Sequence, residues 1–260
     1  MVYNFNNLYT DLLHLNNTYE NLSIFSIGSS VLGKNLYCIK IGSGTKRIFL
    51  NGAHHGMEWL TAKVLVQFTD DLLAFHQPLQ RTVYILPMVN PDGIEISETV
   101  EGWQANANGV DLNHNYDALW HLSKQSEKEH DIHGPGPTRY SGPFFESEPE
   151  SRAVADFTRQ NNFDAVFALH SQGEVFYRDF CGFVPEKSYD YTERFEAVSP
   201  YRLDTVCGIA SYGGYKDWFI SKFKRPGFTI EIGKGKNPLP LSKFETVYSR
   251  VKPLLIEAIK

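Results

Sequence analysis

Cysteine is scarce in this chain. Three residues among 260, Cys38, Cys181 and Cys207, stand far apart with no CxxC pair, which excludes a disulfide framework and a thiolate metal site. No excess of positive charge is present either: 25 Lys and Arg face 30 Asp and Glu, a net charge of −5 that argues against nucleic acid or an anionic membrane as partner. No apolar run approaches the ~20 residues of a membrane span. The opening Met1-Val2-Tyr3-Asn4-Phe5-Asn6-Asn7 has neither a basic start nor an apolar stretch after it, so no secretory leader and a reducing, cytoplasmic setting are the expectation. HExxH and GxSxG are absent. Gly28-Ser29-Ser30-Val31-Leu32-Gly33-Lys34-Asn35 approximates a phosphate-binding loop. It ends on Asn35 where a hydroxyl is needed, and a strand-like run follows where a helix N-terminus is required.

What is there suits one α/β domain of interleaved strands and helices. Helices are expected at 6–20, from Trp59 to about Phe75 ahead of Gln77-Pro78, at Ser151 to Gln160 and at Phe244 to Ile259. Ser23 to Ile27 and Leu36 to Ile41 read as a hairpin-like pair of strands, and Arg47 to Leu50 as a third. Val83 to Leu86 and Ala165 to Leu169 are the uninterrupted apolar runs of centrally buried strands, and Phe228 to Ile232 is another such strand with an acid in it. Residues 91–145 are dense in Pro, Gly, Asn and Asp with little periodicity. So long an irregular stretch in a compact domain is expected to line a site.

Nine histidines remain to be divided between ordinary surface and work. Asn51-Gly52-Ala53-His54-His55-Gly56-Met57-Glu58-Trp59 lies between a strand and a helix, where His55 and Glu58 can face one metal ion. A His₂Glu zinc site needs two neutral imidazoles and a carboxylate, with a fourth position for water. HxxE alone also fits a helix cap or a solvated pair. His170 stands at the end of a buried strand, where α/β sheets present functional groups, although a hydrogen-bonded structural histidine fits there too. Glu231 is an acid inside an apolar strand, where an unpaired charge is costly. It faces either a wet cleft, with a pKa raised by desolvation toward that of a base, or solvent on an edge strand.

With these residues in order, the chain resembles the zinc carboxypeptidase family: His55-Gly56-Met57-Glu58-Trp59 carries two ligands, His170-Ser171 the third and Thr229-Ile230-Glu231 the catalytic glutamate. Asn90-Pro91-Asp92-Gly93, Gly109-Val110-Asp111-Leu112-Asn113, Tyr140 with Ser147-Glu148-Pro149-Glu150, and Gly213-Gly214 before Asp217-Trp218 extend the resemblance from about residue 20 to the C-terminus. It implies a single domain with a mixed, twisted sheet of about eight strands, helices on both faces, and one zinc at the C-terminal ends of central strands. It also implies Glu231 as general base, with Asp111 and Ser171 supporting the ligands and Asp111 holding the Nδ1–H of His55.

The departures narrow the substrate. The family's Asn-Arg clamp on a C-terminal carboxylate is here Asn113-His114, which removes the bidentate fork. The upstream arginine that stabilises the oxyanion is missing, since Arg81 is the sole arginine between Glu58 and Asn113 and stands before a strand. Ile209 occupies the place of the mobile tyrosine, with Tyr212 nearby. In these places, and in His170-Ser171-Gln172-Gly173-Glu174, Lys216-Asp217-Trp218-Phe219 and Gly233-Lys234-Gly235, the chain is similar to the bacterial γ-D-glutamyl-L-diamino-acid peptidases. That resemblance implies hydrolysis of the γ-D-glutamyl–meso-diaminopimelate bond in murein-derived peptides. Asn113, His114, Arg139, Lys216 and Tyr212 are then the candidates for holding substrate. A metallo-carboxypeptidase or amidase acting on another acidic peptide is the competing expectation, and a non-catalytic binding protein of the same fold is the third.

Overall fold

The computed structural model describes residues 2–75, 79–205 and 212–260; His76, Cys207 and Ile209 lie outside them. Its strands are β1 (Leu22–Ser29), β2 (Asn35–Ile41), β3 (Arg47–Gly52), β4 (Thr82–Leu86), β5 (Ala165–His170), β6 (Val175–Tyr177), β7 (Arg202–Leu203) and β8 (Gly227–Glu231). They form one eight-stranded sheet in the order β1-β2-β4-β3-β5-β8-β6-β7. The centre, β4-β3-β5-β8, is parallel. Antiparallel pairings join β1 to β2, β2 to β4 and β6 to β8.

Every residue of β4 and β5 is buried, as the continuous apolar runs require when helices cover both faces. On one face Ile48, Leu50, Phe167, Leu169, Phe228 and Ile230 pack with α1 (Phe5–Thr18), α2 (Leu60–Ala74), α6 (Ser188–Val198) and α8 (Phe244–Ala258). On the other, Phe49, Tyr84, Val166 and Ala168 pack with α5 (Pro149–Asn161) and α7 (Tyr215–Phe223), where Phe49 stacks on Phe163 at 4.9 Å between ring centroids. Among the described residues no helix is long and apolar enough to cross a membrane.

Chain order makes β3 a branch point. The connection through α2 leads to β4 on one side, and the chain then crosses to β5 on the other. Parallel sheets open a crevice at the strand C-termini at such a point. The register Gly52↔Leu169 and His170↔Glu231 brings the ends of β3, β5 and β8 level there.

The 91–145 stretch is less irregular than its composition suggests. It contains α3 (Pro91–Ser97), a 3-10 turn at Leu112–His114 and α4 (Trp120–Glu129). The hairpin tip that approximates a phosphate loop is pinned from below: Leu32 N–H donates to Asp92 Oδ2 and Val31 N–H to Glu150 Oε1. Lys34 pairs with Asp92, so its charge is already met.

Asn90 stitches the irregular segment to the turn after β3. Its amide donates to the carbonyls of His54 and Ala105, each at 3.0 Å, and its Oδ1 accepts from Gly93 N–H at 2.9 Å. Gly56 presses so closely on α3 that a Cβ there would stand 2.2 Å from the Gly93 carbonyl oxygen. Asn90→Ala leaves buried carbonyls unpaired and should lower stability by about 2 kcal/mol. The check is the urea midpoint at constant m, and an unchanged midpoint would contradict the role given to Asn90.

Candidate metal centre and active site

The turn after β3 begins under strain. Ala53 has φ of 53°, a left-handed conformation costly for a residue with a Cβ. Its N–H donates to Thr61 Oγ1, whose hydroxyl donates to the Glu58 carbonyl, so the turn is clamped onto the start of α2. A 3-10 turn, Gly56–Glu58, then swings Glu58 back toward the sheet.

Here three ligand candidates meet. His55 Nδ1 lies 2.9 Å from Glu58 Oε1, His170 Nδ1 lies 3.0 Å from Glu58 Oε2, and the two Nδ1 atoms are 3.3 Å apart. Among the described residues this is the one His, Cys, Asp and Glu group able to hold a metal ion. A tetrahedral ion with bonds of about 2.0–2.1 Å spaces its donors about 3.3 Å apart. The group therefore fits zinc in chemistry and in spacing.

Charge around the group favours a cation. Burial disfavours a charged His55 imidazolium, yet the Glu58 and Asp111 carboxylates outweigh it and raise its pKa well above the ordinary value. Burial likewise opposes ionisation of Glu58, and the two imidazoles overcome this to keep it a carboxylate. Sites that attract a proton this strongly attract a divalent ion in its place.

Asp111 Oδ1 stands 3.1 Å from His55 Nε2. This corrects the expectation that Asp111 holds Nδ1–H: Nδ1 faces Glu58 and His170, and it is Nε2–H that donates to Asp111. Burial would raise the Asp111 pKa, but His55 and His114 bring it well below the usual carboxylate range. Ser171 supports the ligands through its backbone, donating N–H to Glu58 Oε2 at 3.2 Å. Its hydroxyl donates to Asn237 Oδ1, and the Asn237 amide donates back to the Ser171 carbonyl. Asn237 is a supporting residue that carries no ligand-type signal in its sequence context. His54 is buried beneath the ligands, stacked on His170 at 5.6 Å with Nε2 on the Tyr116 hydroxyl, and burial keeps it neutral.

Glu231 ends β8 beside His170 and is half-buried. Its carboxylate has no hydrogen-bond partner among the described residues. Burial, with the nearby Glu58 charge adding to it, pushes its pKa up to about 8, against the opposing pull of His55 and Arg139. It is a free base facing the ligand cluster.

The substrate-side candidates separate. Asn113 Oδ1 accepts from Tyr215 N–H at 3.1 Å, which leaves the NH₂ of its amide without a protein partner among the described residues. His114 and Arg139 meet at 3.0 Å through Nε2 and Nη1. Gly213 passes so near His114 that a Cβ would stand 2.4 Å from its carbonyl oxygen, and its φ of 76° suits glycine. Tyr212 packs on the α5 and α7 side of the core. Lys216 must be withdrawn as a substrate residue: it is buried beside Gly227 at the start of β8, the far end of that strand from Glu231. Its ammonium is satisfied by Asp217 and the Asp179 carbonyl. Arg81 stands just before β4, at the end of the sheet away from the ligands.

A family model described as zinc carboxypeptidase matches residues 8–252, and the chain belongs to that family. The fold and the His55, Glu58 and His170 cluster thus define a zinc metallopeptidase. Among curated proteins the chain is similar to γ-D-glutamyl-L-diamino acid endopeptidase 1 of Lysinibacillus sphaericus, 36% identical over 99% of this chain and 72% of that protein. Among solved structures, bovine thrombin-activatable fibrinolysis inhibitor in complex with tick carboxypeptidase inhibitor shares the fold with a TM-score of 0.82 at 21% identity, covering 100% of this chain and 96% of that one. Murein-tripeptide amidase MpaA from Escherichia coli O157 shares it at 0.60 and 22% identity, covering 91% and 90%.

Two outcomes test the site. Asp111→Ala should weaken zinc binding about 10–100-fold in a chelator competition, and unchanged affinity would exclude its role on His55. In the metal-free protein the Glu231 pKa is raised above its ordinary 4.5, so its contribution to stability is fully present below pH 4.5 and is lost as pH rises through about 8. Metal-free Glu231→Gln should therefore melt higher than metal-free wild type above pH 8 and equally at pH 4. Equal melting at both values would show that the carboxylate is not desolvated.

Proposed function

We propose that this zinc peptidase hydrolyses the γ-D-glutamyl–meso-diaminopimelate bond of murein-derived peptides. The observation that carries the reading is the pairing of a buried, neutral His114 with Arg139 where a C-terminal clamp needs an arginine fork beside Asn113. A substrate that presents its carboxylates differently from an ordinary peptide terminus suits that arrangement. The relative at 36% identity is named for the γ-D-glutamyl-L-diamino acid bond, which supports the same choice.

His55, Glu58 and His170 hold the zinc, which when bound supplies Lewis acidity toward water and toward the scissile carbonyl. Asp111 keeps the Nε2 proton on His55, so that Nδ1 presents its lone pair. Glu231 accepts a proton from the attacking water at a carboxylate oxygen and returns it to the leaving amine nitrogen as the C–N bond breaks. One group thus serves as base and then acid. Its pKa in the holoenzyme lies below the metal-free value of about 8, because a cation at the ligands offsets the Glu58 charge.

With zinc present, the tripeptide L-Ala-γ-D-Glu-meso-diaminopimelate should be cleaved in preference to an ordinary C-terminal peptide, and cleavage of the latter alone would overturn the substrate choice. Glu231→Gln should retain about one zinc per chain and lose 10²–10⁴-fold in kcat. In wild type kcat/KM should fall as pH falls through the Glu231 pKa, because only the carboxylate accepts a proton. An acid limb retained unchanged in the residual activity of Glu231→Gln would remove Glu231 from the base role.

A further inference from the structure

Arg139 is a half-buried cation whose guanidinium makes no salt bridge among the described residues. Its φ is 67°, a left-handed backbone that a long side chain adopts only when its surroundings impose it. The fixing contact is its own N–H, which donates to Asp111 Oδ2 at 3.0 Å, while the other oxygen of that carboxylate holds His55. The strained residue is therefore anchored to the group that orients a metal ligand.

The guanidinium is aimed by His114. Nη1 stands 3.0 Å from His114 Nε2, and a guanidinium has donors only, so Nε2 must carry the lone pair. His114 also hydrogen-bonds the Tyr212 backbone, which leaves it a neutral acceptor with both ring nitrogens engaged. It has no donor left for a substrate carboxylate. Arg139 spends one of its donors on that neutral ring and, among the described residues, keeps the rest, and its charge is felt at both Asp111 and Glu231. A partly desolvated fork with unused donors beside the general base is built to receive an anion.

We propose that Arg139, aimed by His114, grips a carboxylate of the substrate, and that His114 acts only as the positioning residue. Charge and fork return to the cleft from a different point in the chain, and the imidazole at position 114 is the rest on which they lie. The proposal rests on the peptidase reading of the cleft and makes the specificity for an acidic peptide a property of Arg139.

The test is equilibrium binding to zinc-loaded Glu231→Gln protein, read by calorimetry, with wild-type cleavage first establishing which peptide is a substrate. If wild type cleaves the γ-D-glutamyl tripeptide, that peptide and its carboxyl-amidated forms are the ligands. If it cleaves only a C-terminal peptide, the substrate reading fails, and the cycle is run on that peptide and its amide. Adding Arg139→Ala should weaken the free acid about 10–100-fold. It should leave one amidated form unaffected, and that form identifies the carboxylate gripped. Arg139→Lys keeps charge without the fork and should recover part of the affinity; it also serves if the alanine variant does not fold. His114→Ala should reproduce the loss on the acid alone, and His114→Gln, which retains an acceptor, should restore much of it. Equal effects of Arg139→Ala on acid and every amide, a fall in kcat with no change in binding as for an oxyanion contact, or no effect at all would overturn the assignment. Loss on His114→Ala that Gln does not recover would overturn the positioning role.

Discussion

The Glu58 carboxylate touches two imidazoles at once, at 2.9 and 3.0 Å, and the site exists because the sheet holds those three groups against one another. His55 comes from the turn after β3 and His170 from the end of β5, neighbouring parallel strands about 4.8 Å apart. A slip of one residue in that register would turn His170 to the opposite face. The clamp of Ala53 and Glu58 on Thr61, the Ser171 N–H on Glu58, and Asn90 under the turn all hold this contact.

Charge around the contact is unbalanced in the direction a metal needs. Two carboxylates, Glu58 and Asp111, face His55, and a third, Glu231, stands beside His170 with no hydrogen-bond partner among the described residues. Without a divalent ion, Glu231 is destabilising when ionised, a cost that functional sites commonly carry. Two of the left-handed non-glycine residues, Ala53 and Arg139, border the same place. Some of the buried atoms without partners among the described residues lie there too, namely the Asn51 amide, His54 Nδ1 and His170 Nε2.

Much of this is legible from residues alone, for physical reasons. β4, β5 and β8 are covered on both faces, so their apolar runs are unbroken and easily read, and an acid or a histidine at the end of such a run stands out. β6 and β7 are three and two residues long and carry no period to detect. α4, Trp-His-Leu-Ser-Lys-Gln-Ser-Glu-Lys-Glu, buries polar residues such as Glu127, which accepts from the Ser141 N–H and hydroxyl, so it shows no apolar stripe. Lys216 looks like a free cation in sequence because its satisfaction by Asp179 depends on β6 lying beside β8. Which nitrogen of His55 faces the ligands, and that Arg139 rather than His114 carries the free donors, depend on a turn and a left-handed residue that spacing does not encode.

The central claim is that one zinc sits between His55 Nδ1, His170 Nδ1 and the Glu58 carboxylate, with His55 Nε2–H on Asp111. Crystals of the zinc-loaded protein, measured for anomalous scattering on both sides of the zinc edge, test it most directly. A single peak per chain within about 2.0–2.2 Å of those three donors is the expected result. A peak bonded to His55 through Nε2, or one that does not include Glu58, would contradict it.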